Sequence, residues 1–333
     1  MKNKKQILYL SYDGMTDPLG QSQVLPYLCH LTKNGYQFTL VSCEKKDRYL
    51  QNKTIIEKIC AENNIDWQPI FYTKKPPVLS TIWDIYKLNK KVKQLHKKKQ
   101  FQLIHCRSYI TALIGLAFKQ KKGISFIFDM RGFWADERVD GNIWNLNNPV
   151  FKKVYAFFKQ KERDFLEHAD QVISLTENGK QEMLSWNIPH LTPAKISVIP
   201  CAADYELFSL ADDEKRAKAK QNLELSNTEF VLSYIGSIGT WYMLDEMLDF
   251  FKELIAVKTN AKFLFITKDC PTFILDKCEG KGISKTAILV RSSSREDVPE
   301  YVNTSNASIF FIKPVYSKKA SSPKVSVKNF GLI

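Results

Sequence analysis

Short, unbroken apolar runs alternate with longer amphipathic stretches along this chain, and this pattern constrains the fold more than any other feature. Six apolar runs in the first 200 residues are rich in Ile, Val, Leu and Phe: residues 7–11, 38–43, 66–71, 103–106, 124–128 and 171–175. They do not alternate with polar residues, which is typical of strands buried on both faces of a sheet. Helical patterns lie between them, at residues 22–33, 51–62, 81–99, 109–119 and 150–168. This alternation predicts right-handed βαβ crossovers and a doubly wound parallel sheet.

A second, shorter series of the same kind begins at residue 230. Its predicted strands are residues 230–235, 262–267, 287–290 and 307–312, with helices at 242–258 and 297–304. The predicted fold class is therefore α/β, with two Rossmann-like domains at 1–200 and 230–333 and a hinge or linker at 201–229. Because a doubly wound unit usually has about six strands, we expect the second domain to be incomplete. Its uncovered face should then expose one or more of Ile309, Phe310 and Phe311.

Composition excludes several classes of protein. The 333 residues are 44% hydrophobic, which is enough for a large core, and no apolar run reaches the ~18 residues of a membrane span. The seven cysteines are scattered, which indicates a reduced, cytoplasmic protein. The five histidines are dispersed, and the chain has neither Cys-x-x-Cys nor Asp-x-Asp, so we expect no metal and no other cofactor.

The positive charge is concentrated in the first 200 residues. These hold 31 Lys and Arg against 18 Asp and Glu, whereas residues 201–333 hold 18 against 17. Seven of the lysines fall in one predicted helix: Lys87, Lys90, Lys91, Lys93, Lys97, Lys98 and Lys99. They indicate either a solvated helix face or attraction to an anionic membrane surface. Nucleic acid ranks last among the partners, because no recognised nucleic-acid module is present.

The loop after the first strand is long and rich in Gly, Pro and Asp. Five residues lie between Gly14 and Gly20, where a P-loop has four, and no Lys follows, so this is neither a P-loop nor a dinucleotide-binding Gly-x-Gly-x-x-Gly. We expect Ser22 to cap the next helix and the loop to present backbone N–H groups to a ligand. A plain connecting loop is the alternative.

Two further predicted strands end in residues suited to a polar ligand. His105 and Arg107 end the fourth strand, where a lone histidine is most often a core residue but an arginine fork suits phosphate or carboxylate. The loop after the fifth strand combines carboxylates, arginines and aromatics at residues 128–138, as a sugar or sugar-phosphate site requires. In the second domain, a Gly-x-x-Gly turn from Gly236 to Gly239 is suited to a pyrophosphate.

Together these segments resemble the retaining glycosyltransferase family 4, of the two-domain GT-B fold, in its bacterial surface-polysaccharide type. The matching stretches are residues 10–22, 104–109, 128–138, 169–177, 198–208, 234–239 and 320–323. They occur in the family's order and span about residues 6–323. The resemblance implies two Rossmann-like domains facing a cleft, with the acceptor on the first and a nucleotide-sugar on the second.

The resemblance also implies roles for individual residues. The catalytic candidates are Arg107 and His105. The acceptor-binding candidates are Asp13, Gly14, Asp17, Gly20, Gln21, Asp129, Arg131 and Glu137. The donor-binding candidates are Gly236, Ser237, Gly239, Thr240, Ser321, Ser322 and Lys324.

The end of the sequence departs from the family pattern. After Pro323 the family's Gly-Glu-x-Leu-Ala motif is missing, and Lys328 stands near the place of the acidic residue that holds the donor ribose. The resemblance therefore predicts a truncated or frameshifted chain and leaves its activity open. The expected function is transfer of a sugar from a nucleotide-sugar to a glycan or lipid-linked acceptor, in the cytoplasm or at the inner face of the membrane. The alternative is a non-catalytic GT-B scaffold that binds a membrane or an assembly partner.

Overall fold

The computed structural model describes residues 5–321, which form two compact units. The first unit comprises residues 5–201 together with 316–321, and the second comprises residues 202–315. This division differs from the expected domains at two places. Residues 202–229 belong to the second unit instead of a separate linker, because their helix packs on it, and residues 316–321 return to the first unit.

The first unit is built on a parallel sheet of seven strands. Its strands are β1 (Lys5–Ser11), β2 (Tyr36–Glu44), β3 (Asp66–Phe71), β4 (Leu103–Arg107), β5 (Ser125–Asp129), β6 (Gln171–Ser174) and β7 (Ile196–Val198). They are arranged in the order β3-β2-β1-β4-β5-β6-β7, and every neighbouring pair is parallel. All six apolar runs identified in the first 200 residues are strands of this sheet, so the doubly wound prediction is confirmed.

Helices connect these strands. They are α1 (Leu25–Lys33), α2 (Lys46–Glu62), α3 (Leu79–Lys99), α4 (Ser108–Lys122), α5 (Trp134–Asp140), α6 (Pro149–His168) and α7 (Glu177–Ser185). Sequence reasoning missed α5, α7 and the short strand β7. Each has fewer than ten residues, too few for a clear apolar period.

The core explains why apolar residues follow one another without interruption in the middle of β1. Along β1, Ile7 and Tyr9 pack with residues of α1 and α2, while Leu8 and Leu10 pack in a separate cluster with residues of α3 and α4. Successive side chains of a strand point to opposite faces of a sheet. Both faces of the first sheet are therefore covered, and the consecutive residues Ile7 to Leu10 of β1 are all apolar and buried.

The second unit repeats this arrangement with fewer strands. Its parallel strands are β8 (Phe230–Ile235), β9 (Ala261–Ile266), β10 (Ile288–Arg291) and β11 (Ala307–Ser308), in the order β10-β9-β8-β11. Its helices are α8 (Asp213–Asn222), α9 (Leu244–Val257), α10 (Pro271–Gly280) and α11 (Val298–Asn303). Both units thus place the second strand on one side of the first and the fourth on the other.

The expected exposure near β11 is wrong. Ile309 is buried, and Phe310 and Phe311 are partly buried in the core of the second unit. The chain after β11 runs antiparallel to the segment before α9, so that the N–H of Met243 donates to the carbonyl of Phe311 at 3.0 Å. The side chains that the sequence suggested would be exposed pack instead with residues of β8, β9 and α9.

Candidate functional site

Strand register brings the charged residues of two loops together at the carboxyl edge of the first sheet. Arg107 ends β4 and is the register partner of Ser11 on β1 and of Asp129 on β5. Ligands of open α/β sheets bind at this edge. The topology therefore places the guanidinium and the carboxylate where a ligand is expected.

Two arginines share one amide in this cluster. The Nη2 of Arg107 donates to the Oε1 of Gln23 at 2.9 Å, and the Nη2 of Arg131 donates to the same oxygen at 2.8 Å. Arg107 also lies 3.5 Å from a carboxylate oxygen of Asp13, and both arginines lie within 4.0 Å of Asp129. We call Arg107, Arg131, Asp129, His105 and Gln23 the arginine cluster.

Several buried polar atoms of the arginine cluster have no hydrogen-bond partner among residues 5–321. They are the Nε2 of His105, the Nε of Arg107 and the Oδ1 of Asp129, whose residues are each only 5% exposed. The His105 ring packs on Tyr9 at 4.5 Å, and its Nε2 is 3.5 Å from Asp129, too far for a good hydrogen bond. Buried polar groups are normally satisfied, so this group of unsatisfied atoms suits a polar ligand.

Backbone strain accompanies the arginine cluster. Ser108 and Arg131, which follow β4 and β5 closely, have φ angles of 67° and 61°. Residues with a Cβ seldom adopt this left-handed conformation, and such strain concentrates at functional sites. At Arg131 the strained backbone accompanies a guanidinium held beside that of Arg107.

The electrostatics of the arginine cluster favour a permanent positive charge. Burial by itself lowers the pKa of Arg107. The nearby Tyr9, Asp129 and Asp13 together raise it by more than burial lowers it, so the pKa of Arg107 lies above its ordinary value. Burial and the nearby charge of Asp129 raise the pKa of Tyr9. Arg107 therefore stays protonated and Tyr9 stays neutral throughout the physiological range.

A buried carboxylate that sequence reasoning missed holds the loop after β1. Glu44, the last residue of β2, is fully buried and accepts from the N–H groups of Met15 at 2.8 Å and Thr16 at 3.0 Å. The hydroxyls of Thr16 and Ser42 donate to it as well. The sequence signal that could have found Glu44 is a charged residue at the end of an apolar strand.

The two glycines of this loop allow close packing. A Cβ on Gly14 would lie 2.6 Å from a carboxylate oxygen of Glu44, and one on Gly20 would lie 2.3 Å from the carbonyl oxygen of Gly14. The side chain of Gln21 donates to the carbonyl of Thr16 at 3.1 Å. The glycines and Gln21 thus fix the shape of the loop.

The expected helix cap is wrong. Ser22 does not cap a helix, because the chain is already helical at Leu19 and continues through a π-helical turn, Gly20–Val24. The hydroxyl of Ser22 donates instead to the carbonyl of Pro18 at 2.8 Å. Asp17 pairs with Lys45 at 2.8 Å. Not all N–H groups of the loop are available as the sequence suggested, because those of Met15 and Thr16 are bound to Glu44.

The corresponding loop of the second unit follows β8. Gly236, Gly239 and Thr240 have φ angles of 144°, 97° and 42°, so the turn uses conformations that favour glycine. The hydroxyl of Tyr234 donates to the carbonyl of Ser237 at 2.6 Å. The loop is therefore anchored to the strand that precedes it.

An acidic side chain also reaches this second loop. The carboxylate of Asp269, beyond the end of β9, accepts from the N–H of Ile238 and from the hydroxyl of Thr267 at 3.1 Å. In both units, then, a carboxylate at or just beyond the end of the second strand accepts from backbone N–H of the loop after the first strand. Sequence reasoning missed Asp269 because its partner is 31 residues away in the chain.

Glu137, predicted to bind acceptor, contacts the returning segment 316–321. Its carboxylate lies 3.0 Å from the Nζ of Lys318. Glu182 on α7 accepts from the hydroxyl of Tyr316 at 3.0 Å and pairs with Lys319 at 3.1 Å. These contacts attach the segment to α5 and α7 of the first unit.

The predicted donor-binding residues are divided by the fold. Gly236, Ser237, Gly239 and Thr240 belong to one loop of the second unit, whereas Ser321 belongs to the first unit. Ser322 and Lys324 lie outside the described residues.

Residues 5–321 contain no group of three or more His, Cys, Asp or Glu side chains placed to hold a metal ion. None of their helices is both long and apolar enough to cross a membrane.

Comparison with known proteins identifies the family. The model of Glycosyltransferase Family 4 matches residues 21–207, which is more than half of the chain. The chain belongs to Glycosyltransferase Family 4. The predicted family is therefore confirmed, although no curated protein sequence matches the chain.

Solved structures resemble this family 4 protein over most of its length. Sucrose-phosphate synthase from Thermosynechococcus elongatus has a TM-score of 0.67 at 15% identity, covering 94% of this chain and 76% of its own. A glycosyltransferase from Rickettsia africae has a TM-score of 0.61 at 16% identity, covering 92% and 73%. Anabaena Alr3699/HepE in complex with UDP has a TM-score of 0.63 at 11% identity, covering 91% and 73%. At these identities the likeness shows the fold alone, which is the predicted GT-B class with two Rossmann-like units.

Proposed function

We propose that this family 4 protein is a retaining glycosyltransferase that moves a sugar from a nucleotide-sugar to a glycan or lipid-linked acceptor. We place this reaction in cell-surface polysaccharide synthesis, in the cytoplasm at the inner face of the cell membrane. The observation that carries the proposal is the arginine cluster, which lies at the edge of the sheet where ligands bind. Its His105 Nε2, Arg107 Nε and Asp129 Oδ1 are buried and have no hydrogen-bond partner among residues 5–321. Membership of the family supports the reaction class.

The first unit supplies the acceptor side of the proposed reaction. The guanidinium groups of Arg107 and Arg131 provide fixed donors for acceptor hydroxyl or phosphate oxygens. The buried carboxylate of Asp129, whose Oδ1 has no hydrogen-bond partner among residues 5–321, accepts a hydrogen bond from a hydroxyl of the sugar. His105 and Arg107 act next to the reacting atoms, and Asp13 holds Arg107 from the solvent side.

The second unit supplies the donor side. Transfer from a nucleotide-sugar releases a diphosphate, whose developing charge is stabilised by preorganised N–H groups and cations. The loop with Gly236 and Gly239 is the source of such N–H groups in this unit, and we propose that it works without a metal. Anabaena HepE forms crystal structures in complex with UDP and with UDP-glucose, which supports a nucleotide-sugar on this fold.

The test offers the protein a panel of UDP-, GDP- and dTDP-sugars together with glycan and lipid-linked acceptors. Transfer is measured as release of the nucleoside diphosphate. A retaining enzyme gives a product with the anomeric configuration of the donor, which NMR of the first product reports. We expect Arg107→Lys to reduce transfer about 100-fold, because one fixed donor of the arginine fork is lost. Arg163→Lys is the matched control, since Arg163 is exposed on α6. Equal activity of both variants would refute the role of the arginine cluster.

One observation favours a second function, a non-catalytic scaffold that binds a membrane or an assembly partner. The carboxylate of Asp269 is bonded to the N–H of Ile238 and places a negative charge at the loop where a diphosphate would bind. Repulsion between these anions would weaken donor binding. Titration with the same nucleotide-sugars separates the two functions, because a scaffold binds none of them.

A further inference from the structure

The outer face of α3 has two chemically different halves. Nine side chains of this helix are exposed: Leu79, Ile82, Trp83, Tyr86, Lys90, Lys93, Gln94, Lys97 and Lys98. Their spacing of three or four residues places them along one face of the helix. The first four are apolar or aromatic, and four of the remaining five are lysines. We call the two groups the apolar half and the lysine half of α3.

The apolar half is unusually exposed for large side chains. Leu79, Ile82, Trp83 and Tyr86 are 64%, 56%, 54% and 54% exposed. The rings of Trp83 and Tyr86 stack on each other at 5.3 Å with an angle of 22°. A contiguous apolar patch of this kind marks a site of interaction with a protein or a membrane.

The four lysines of the lysine half form no ion pair within residues 5–321, in contrast to two other lysines of α3. The structure separates the seven lysines that the sequence grouped together. Lys87 pairs with Asp84 at 2.7 Å and Lys99 pairs with Asp66 at 2.6 Å, so these two serve the fold. Within α3, all of which the structure describes, Asp84 is the only acidic residue, and it is fully buried. The outer face of the helix therefore carries cations and no anions.

We propose that the outer face of α3 docks on an anionic lipid bilayer with the helix axis parallel to the membrane. Tryptophan and tyrosine favour the headgroup region, and aliphatic side chains beside them reach the acyl boundary. The lysine half binds anionic headgroups, because each basic side chain near such a surface adds to affinity. At 1.5 Å per residue α3 is about 31 Å long, so both halves contact a flat membrane at the same time.

The chemistry of the apolar half favours a membrane over nucleic acid. Nucleic acid would satisfy the lysine half through its phosphates, and an aromatic ring would stack on a base. Leu79 and Ile82 would then stay exposed to water beside the phosphates. A lipid surface accommodates both halves of the face.

The experiment measures co-sedimentation of the full chain with vesicles, without donor or acceptor, so that its result is independent of glycosyl transfer. We expect binding to vesicles of phosphatidylglycerol and phosphatidylcholine, and much weaker binding to phosphatidylcholine alone. Binding should weaken as salt rises, since the Debye length falls from about 10 Å at 0.1 M to about 3 Å at 1 M. Binding to a nucleic-acid duplex but not to anionic vesicles would overturn the proposal.

Variants of the two halves test them separately. Lys90→Glu, Lys93→Glu and Lys97→Glu together should lower vesicle affinity about 100-fold, at roughly fivefold for each lost lysine. The control variant carries Lys152→Glu, Lys153→Glu and Lys218→Glu. These three lysines are exposed and lie outside α3, and the change in net charge is the same. Equal loss in both triple variants would mean that only net charge matters, which contradicts a specific surface.

Insertion of the apolar half has its own readout. Vesicles with lipids brominated near the headgroup quench tryptophan fluorescence on contact. The quenching of Trp83 is the difference between the quenching of the wild type and that of Trp83→Phe. We expect this difference for anionic vesicles, and at least a tenfold loss of affinity when Ile82, Trp83 and Tyr86 are changed to Ser. Unchanged affinity of that variant, or no quenching at Trp83, would overturn the proposal even if the lysines bind.

Discussion

Replacing Glu44 by Gln tests whether one buried carboxylate holds the loop after β1. The substitution keeps the shape of the side chain and exchanges one acceptor oxygen for an NH₂ donor. Each carboxylate oxygen accepts one backbone N–H and one hydroxyl: Oε1 from Met15 and Ser42, and Oε2 from the backbone and side chain of Thr16. Whichever oxygen is replaced, an N–H and a hydroxyl then face a donor.

The cost follows from this geometry. A hydroxyl can rotate to accept from the new NH₂ group, but the backbone N–H stays buried without a partner. An unsatisfied buried group costs about 1–3 kcal/mol, and hydrogen bonds to a charged group are worth about 1.5–3 kcal/mol each. We expect Glu44→Gln to lower the free energy of unfolding by about 2–4 kcal/mol, a large fraction of the ~5–15 kcal/mol of a typical domain.

The assay is urea unfolding combined with native-state hydrogen exchange. Denaturation should shift to lower urea with the same slope, and the amides of Met15 and Thr16 should lose protection. Glu57→Gln is the control, because the Glu57 carboxylate is half exposed and pairs with Lys53 at 3.4 Å, which is worth at most about 1 kcal/mol. A loss in Glu44→Gln no larger than in this control, with both amides still protected, would refute the reasoning.

Three further predictions concern packing, thiol chemistry and pH. Gly20→Ala should destabilise the protein by about 3 kcal/mol in urea titration, because its Cβ would lie 2.3 Å from a loop carbonyl oxygen. The control is Gly280→Ala, whose Cβ would enter open space and which should be neutral or slightly stabilising. A thiol reagent, with mass spectrometry as the readout, should label Cys270 and spare Cys278. Cys270 is exposed and hydrogen bonds from its neighbours lower its pKa, whereas burial raises the pKa of Cys278 to about 11. Fast labelling of Cys278 would contradict the fold. Burial raises the pKa of Glu182, but hydrogen bonds from the segment packed on α7 lower it more, so its folded pKa lies below the ordinary 4.5. Its stabilisation is present above that value and is lost as the pH falls through the folded pKa. Protection factors in residues 316–321, which correct for the slower intrinsic exchange in acid, should therefore fall on acidification in the wild type. A fall of equal size in Glu182→Gln would contradict this linkage.

The sequence predicted the strands of both sheets because a strand buried on two faces has a local pattern, an apolar run. A strand buried on both faces is mostly apolar, so an unbroken apolar run is visible without knowledge of its partner strands. The charged residues at the carboxyl end of β4 and β5 were visible for the same reason, since they break the run. Arg107 and Asp129 then become neighbours through the parallel register alone.

The contacts that shape the site were not predictable in this way. Glu44 binds Met15 across 29 positions of sequence, and Gln23 binds Arg131 across 108. Neither pairing leaves a periodic signal, because each depends on where a loop folds back over a strand end. The return of residues 316–321 to the first unit was equally unpredictable, because the side chains of this segment do not by themselves identify α5 and α7 as their partners.

Hydrogen exchange of the full chain with and without a nucleotide-sugar tests the central claim most directly. The donor panel of UDP-, GDP- and dTDP-sugars would be screened, and exchange measured at saturating concentration of the one that binds. Family 4 transfer on this fold predicts that one donor binds and protects the amides of residues 236–240 in the second unit. Binding that leaves those amides unchanged, or no binding by any of these nucleotide-sugars, would contradict the account.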